Sequence, residues 1–185
     1  MAPSRFLYIG AMPGETVWLV GLMGAGKSAV GRRLAARLGR QFVDTDLEIE
    51  RAAGCSVAEL FARDGEEAFR SQERAIIDAW AGRAAIVALG GGAMAQPGIA
   101  QRLAESGRSV YLRARPETLA ARVGTGEGRP LLAGLDAPGR LARLRELLAA
   151  REACYEAAEL AIDTDDQRPD QVAAAVCAAL GEEAA

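Results

Sequence analysis

Apolar residues fall along this chain in two rhythms, short continuous runs and longer stretches at helical spacing. Thr16–Val20 is an apolar run ending in a glycine-rich turn, and residues 84–89 form a second unbroken run; both read as interior strands buried on two faces. Between them, Val30, Leu34 and Leu38 recur at helical spacing ahead of Gly39, which predicts a helix over Lys27–Leu38. Phe42 and Val43 predict a short strand entering Asp44, with a helix starting near Leu47. Ser56 followed by Glu59 is a capping box and opens a short helix that ends at Gly65. Pro97 opens a helix to Glu105, residues 109–112 give a strand and Pro116 starts another helix. Leu141, Leu144 and Leu148 mark a longer helix, residues 160–162 a final strand, and Pro169–Leu180 a closing helix. Such strand–helix alternation predicts an α/β architecture with a mostly parallel sheet, helices on both faces, and ligands beyond the carboxyl ends of the strands.

The loops after strands carry the chemistry. Gly21-Leu22-Met23-Gly24-Ala25-Gly26-Lys27-Ser28 is a complete G-x-x-x-x-G-K-[ST] phosphate loop in strand-to-helix context. Its glycines let backbone N–H groups turn inward on phosphate, Lys27 meets the β and γ phosphates of a nucleotide triphosphate, and the Ser28 hydroxyl suits magnesium. Asp44 and Asp46 follow the next strand; one carboxylate can face magnesium while the other reaches an acceptor, although Asp also favours helix starts. Three glycines at 90–92 forfeit backbone entropy, and the usual return is close approach of the backbone to another group. Arg70 and Glu73 share a helix face and can pair. The glycine-rich segment 124–128, followed by Arg129-Pro130, has the makeup of a mobile lid that brings Arg129 to a transferring phosphoryl group, with a plain surface loop as the alternative. Arg151 is either a site residue or a partner of the helix dipole.

Composition narrows the partners. At 185 residues and 50% hydrophobic content, the chain can bury one good core and is expected to form one domain over residues 15–185. A net charge of −3 removes the basic footprint expected for nucleic acid or an anionic membrane surface. Cys55, Cys154 and Cys177 form no disulfide framework, which fits a reducing cytoplasm. Histidine is absent, so any proton acceptor is a carboxylate or something weaker. Residues 1–14 resemble neither a secretory signal nor a membrane span and read as a poorly ordered extension.

Taken in order, these segments resemble the shikimate kinases. The resemblance is carried by residues 21–28 and 30–35, by Phe42-Val43-Asp44-Thr45-Asp46 with Ile49-Glu50, and by Glu59-Leu60-Phe61 with Gly65-Glu66. It continues through Phe69-Arg70 and Glu73, the triple glycine, Arg129-Pro130-Leu131-Leu132, Arg151 and Tyr155. It implies a three-layer P-loop kinase fold with a central parallel β-sheet flanked by helices, a small helical substrate-binding region at about 45–80 and a mobile lid at about 123–138. It implies phosphorylation of the shikimate 3-hydroxyl by ATP with Mg2+, in a cytoplasmic monomer acting on small molecules. Asp46, Arg70, Gly91 and Arg151 match the family's shikimate-binding positions, and Ser28 and Asp44 its magnesium positions. Lys27, Asp46 and Arg129 would carry catalysis, while Gly24, Ala25, Gly26, Lys27, Ser28, Ala29, Arg122, Arg129 and Pro169 would surround ATP. Ala29 departs from the family's frequent second hydroxyl, Glu152-Ala153 replaces a frequent proline-containing segment, and the connection from Pro130 to Arg151 is about one helical turn longer than in some members.

Overall fold

A computed structural model describes residues 15–182; the N-terminal extension expected at 1–14 lies outside them. Five strands, β1 (Thr16–Val20), β2 (Gln41–Asp44), β3 (Ala85–Ala88), β4 (Gly107–Arg113) and β5 (Leu160–Asp163), form one parallel sheet in the order β2-β3-β1-β4-β5. The helices are α1 (Lys27–Leu38), α2 (Thr45–Ala53), α3 (Val57–Trp80), α4 (Ile99–Ser106), α5 (Pro116–Val123), α6 (Ala137–Glu156) and α7 (Pro169–Leu180). The expected α/β fold with its flanked central sheet is what the chain adopts.

Right-handed crossovers distribute the helices. From β1 the chain moves two places outward through α1, whereas from β3 it crosses to β4 in the other direction through α4. The loops after the neighbouring strands β1 and β3 therefore leave toward opposite faces, and a crevice opens between them. The phosphate loop follows β1 and the triple glycine follows β3. Fold topology alone thus brings these two glycine-rich segments together.

The sheet is the core. Every residue of β1 and β3 is buried, as expected for interior parallel strands, and Val17 lies opposite Ile86 and Arg108. Leu34 of α1, Leu103 of α4, Leu144 of α6 and Val176 of α7 close over it. A smaller cluster of Ile49, Leu60 and Phe69 joins α2 to α3 and supports the side of the crevice that these helices border.

Some boundaries differ from expectation. The second helix begins at Thr45 rather than near Leu47, so Asp46 occupies its first turn. The capping box is formed, with the Glu59 amide donating to Ser56 Oγ, and the helix breaks at Gly65 as expected, but a new one resumes at once and runs to Trp80. β4 starts at Gly107, directly after α4, because Gly107 pairs with Thr16 and extends the ladder into a polar stretch. No helix among the described residues is long and apolar enough to cross a membrane.

That junction is tight enough to test. A Cβ on Gly107 would lie 2.0 Å from the Thr16 carbonyl oxygen of the adjacent strand, where backbone must move. Gly107→Ala is expected to destabilise by about 1–3 kcal/mol, read as a thermal midpoint lowered by roughly 2–10 °C.

Candidate active site

The crevice holds a cavity of about 1020 Å³ that runs from the phosphate loop to α3, ample for two small ligands. At its donor end, Gly26 caps α1 in the left-handed conformation and the first turn of that helix has no acidic residue. Its orphan amides and positive dipole end make an anion site. The Lys27 ammonium donates to the carbonyls of Gly21 at 2.7 Å and Leu22 at 3.1 Å. Burial lowers its pKa to about 8, against the opposing charges of Asp46 and Asp44, and Arg129 adds to the lowering. Gly24, Ala25, Ser28 and Ala29 line the same end.

Asp44 and Asp46 stand where β2 becomes α2. Asp44 is the N-cap residue by position, yet its side chain makes no capping bond; it accepts a hydrogen bond from Ser28 Oγ at 2.5 Å. Asp46 enters the cavity with Oδ1 buried and unpartnered among the described residues. Burial, reinforced by the Asp44 charge, raises its pKa, while Lys27 and Arg70 oppose the rise. Thr45 between them is buried, and its hydroxyl accepts from the Gly90 amide at 2.9 Å, tying the two strand ends together.

The triple glycine answers to its neighbours. A Cβ on Gly90 would lie 2.5 Å from Glu73 Oε1 and 2.7 Å from Asp46 Oδ1, and one on Gly92 would lie 2.5 Å from Arg70 Nη2. Side chains at either position would expel charged groups from the acceptor end. Gly91 offers its carbonyl to Arg151 Nη1 at 3.3 Å and to the Tyr155 hydroxyl. Tyr155 is itself buried and stacked on Tyr111 with ring centroids 5.2 Å apart. Arg151 therefore points into the cavity rather than serving the dipole of α6.

Arg70 meets two carboxylates. Nη1 donates to Glu73 at 2.8 Å, while Nε and Nη2 reach Glu66 at 3.2 and 3.1 Å. Glu73 is fully buried and Glu66 largely exposed, so the inner pair fixes the guanidinium and the outer one is loosely held. Burial raises the Glu73 pKa, opposed by Arg70 and by Gln96 and reinforced by Asp46. On the far side, Arg122 donates to the hydroxyl of Thr164 at 2.9 Å and to its carbonyl at 2.5 Å, and Pro169 opens α7 at the cavity wall. Arg129 borders the cavity from the segment above, where Leu132 is buried and Leu131 exposed.

The candidate catalytic, binding and metal residues named from sequence thus all line one cavity. Thr45 and Gln96 were not among them. A hydroxyl between two acids is a faint signal for the first; the second has none, because its partner Glu73 lies 23 positions upstream.

Comparison with known proteins bears on this arrangement. The family model for shikimate kinase matches residues 23–181. A shikimate kinase of Symbiobacterium thermophilum is 47% identical over 169 residues, covering 89% of this chain and 95% of that protein. The structure of shikimate kinase from Acinetobacter baumannii in complex with shikimate superposes with a TM-score of 0.83 at 36% identity, covering 90% of this chain and 93% of that one. A gluconokinase from Sinorhizobium meliloti shares the fold, with a TM-score of 0.56 at 19% identity over 91% of this chain and 93% of its own.

Lys27 is the single lysine of the sequence, so its ionisation can be read by competitive amine acetylation and peptide mass mapping. Half-maximal reactivity is expected near pH 8 in the free protein and at higher pH with ATP bound, because phosphate charge favours the ammonium. An ordinary value near 10.5 without ligand would contradict the burial of this side chain.

Proposed function

The chain belongs to the shikimate kinase family, and from that premise we propose how its residues divide the reaction. The enzyme transfers the γ-phosphoryl group of ATP to the 3-hydroxyl of shikimate, giving shikimate 3-phosphate and ADP in the aromatic amino acid (chorismate) pathway. One observation carries the division of labour: the half-buried carboxylate of Asp46, whose buried Oδ1 has no partner among the described residues, lies in the same cavity as the phosphate-loop lysine and two arginines, Arg70 and Arg151.

The loop amides of Gly24, Ala25, Gly26 and Ala29, with Lys27, hold the phosphates, and Arg122 and Pro169 flank the adenine. Arg70 and Arg151 bind the substrate carboxylate through directional, charge-assisted bonds, beside the backbone of Gly91. Asp46 accepts a hydrogen bond from the attacking hydroxyl and orients it. Its raised pKa suits a proton acceptor, yet the loose transition state of phosphoryl transfer asks mainly for positioning. Lys27 and Arg129 offset the charge that develops on the transferring group. We place the lid at about 123–138 and the substrate-binding region at about 45–80 of a single domain spanning 15–185; closure of the lid keeps water from competing as acceptor.

Ser28 and Asp44 supply hard oxygen donors beside the phosphate loop, and no group of three or more His, Cys, Asp or Glu forms a closed cation cage among the described residues. This donor set fits magnesium, which takes few protein ligands and completes its shell with water and phosphate oxygens. When bound, Mg2+ neutralises charge on the β and γ phosphates. Three free cysteines accord with a reducing cytoplasm, and the proposed working form is a monomer.

A coupled ADP-release assay with magnesium–ATP and shikimate, quinate, gluconate or AMP tests these assignments. Turnover is expected on shikimate, with Arg70→Ala raising KM for shikimate roughly 10–100-fold, as loss of hydrogen bonds to a charged group implies. Asp46→Asn is expected to lower kcat about 10²-fold or more. Turnover on gluconate or AMP instead would overturn the acceptor assignment.

A further inference from the structure

Glu73 is fully buried, carries two of its neighbours' hydrogen bonds on one oxygen, and is the group against which Arg70 is set. One of those bonds comes from outside its helix. Gln96, just after the triple-glycine turn, donates Nε2 to Glu73 Oε2 at 2.6 Å, and its own Oε1 accepts from Arg74 Nη1 at 2.8 Å. The Arg74 contact settles which way the amide faces: an oxygen turned toward Glu73 would set two acceptors against each other and leave Arg74 without its partner.

The result is a chain of donors, Arg74 to Gln96 to Glu73 from Arg70, running from the exposed face of α3 into the cavity. Without Gln96, Glu73 Oε2 would have Arg70 as its one remaining hydrogen-bond partner among the described residues, and the carboxylate could rotate about its stem. Oε1 has no hydrogen-bond partner among them, so no second bond fixes the plane of the carboxylate. Any turn of the Glu73 plane moves Arg70 Nη1 with it, because the two are 2.8 Å apart. Gln96 also ties the glycine turn to α3 at a point separate from the Thr45–Gly90 and Tyr155–Gly91 bonds.

We propose that Gln96 is a positioning residue for acceptor binding: held by Arg74, it locks the Glu73 carboxylate so that the Arg70 guanidinium faces the acceptor carboxylate. It touches neither ATP nor the reacting oxygens. Its effect therefore belongs to KM for the acceptor and not to kcat or KM for ATP.

The proposal rests on the shikimate-kinase reading, and the experiment separates the two. Gln96→Leu keeps the volume and removes both amide contacts; Arg74→Met, at an exposed position, releases the amide from its other end without altering the cavity. Gln96→Leu is expected to raise KM for shikimate about tenfold, equivalent to ~1.4 kcal/mol, with kcat and KM for ATP changed less than twofold. Arg74→Met is expected to raise the same KM two- to threefold, and the double variant to match Gln96→Leu alone, since both act through one amide. Calorimetric titration of shikimate into each variant should follow the same order. Unchanged acceptor KM in Gln96→Leu, additive effects in the double variant, or a loss shared equally with kcat and ATP would overturn the positioning role while shikimate turnover by the unmodified protein keeps the function. Failure of the unmodified protein to bind or phosphorylate shikimate would overturn both. Should Gln96→Leu fold poorly, Arg74→Met alone decides: no shift in its acceptor KM refutes the relay.

Discussion

Two carboxylate oxygens, both buried, converging on the open side of one glycine set the terms for the rest of this molecule. Glu73 Oε1 and Asp46 Oδ1 approach the position of a Gly90 Cβ to 2.5 and 2.7 Å, and neither oxygen has a partner among the described residues. Bringing two acids so close is unfavourable, since burial and mutual repulsion both disfavour their charged forms. What offsets this is a surround of positive groups and donors, with Lys27 and Arg70 beside Asp46 and with Arg70 and Gln96 on Glu73. Glycine leaves the room needed at position 90, and the helix that breaks at Gly65 and resumes presents Arg70 and Glu73 to the end of β3.

The parallel sheet makes that convergence geometrically simple. Because all five strands point the same way, the residues just past their carboxyl ends share one rim. β1 delivers the phosphate loop, β2 delivers Asp44 and Asp46, and β3 delivers the glycines. Helices then close the rim from two sides, α3 with Arg70 and α6 with Arg151 and Tyr155. The buried apolar strands beneath supply rigidity, so that a hydroxyl and a phosphate can be held at bonding distance without reorganisation in the transition state.

Much of this was legible before any coordinates, for reasons that differ from residue to residue. Elements whose evidence is contiguous were readable: the phosphate loop, the apolar strands, the capping box at Ser56 and the break at Gly65 all lie within a few positions of their partners. The triple glycine signalled that something approaches the backbone, but not what, since Glu73 and Asp46 reach Gly90 from two other elements. Arg151 was ambiguous because a helix places a residue by its register, and no local feature says which side of α6 faces the cavity. The first residues of β4, Gly107 and Arg108, carry no apolar signal and owe their strand conformation to pairing with Thr16 and Val17. Thr45 and Gln96 act across the fold, where sequence pattern carries no record of the contact.

The distribution of like charges in this cavity fits the ligands proposed for it. Arg129 lowers the affinity of Lys27 for a proton across the donor end, a repulsion that an anionic polyphosphate between them would relieve. The Asp44 charge raises the pKa of Asp46 at the strand end, a repulsion that positive charge placed beside the pair would relieve. Asp46 and Glu73 repel at the acceptor end, and there a hydroxyl proton relieves it without adding charge. Beyond Arg70 the outer position is taken by a carboxylate, Glu66, held on the exposed side of the guanidinium, which marks the place as suited to another carboxylate. A ligand pair consisting of a polyphosphate and a polyhydroxylated acid would meet each of these sites in turn; a neutral polyol would leave Arg70 to Glu66, and a nucleoside monophosphate would set its dianion close to Asp46 and Glu73. Selectivity on this view is electrostatic before it is steric, and it is built into charges placed by three neighbouring strand ends.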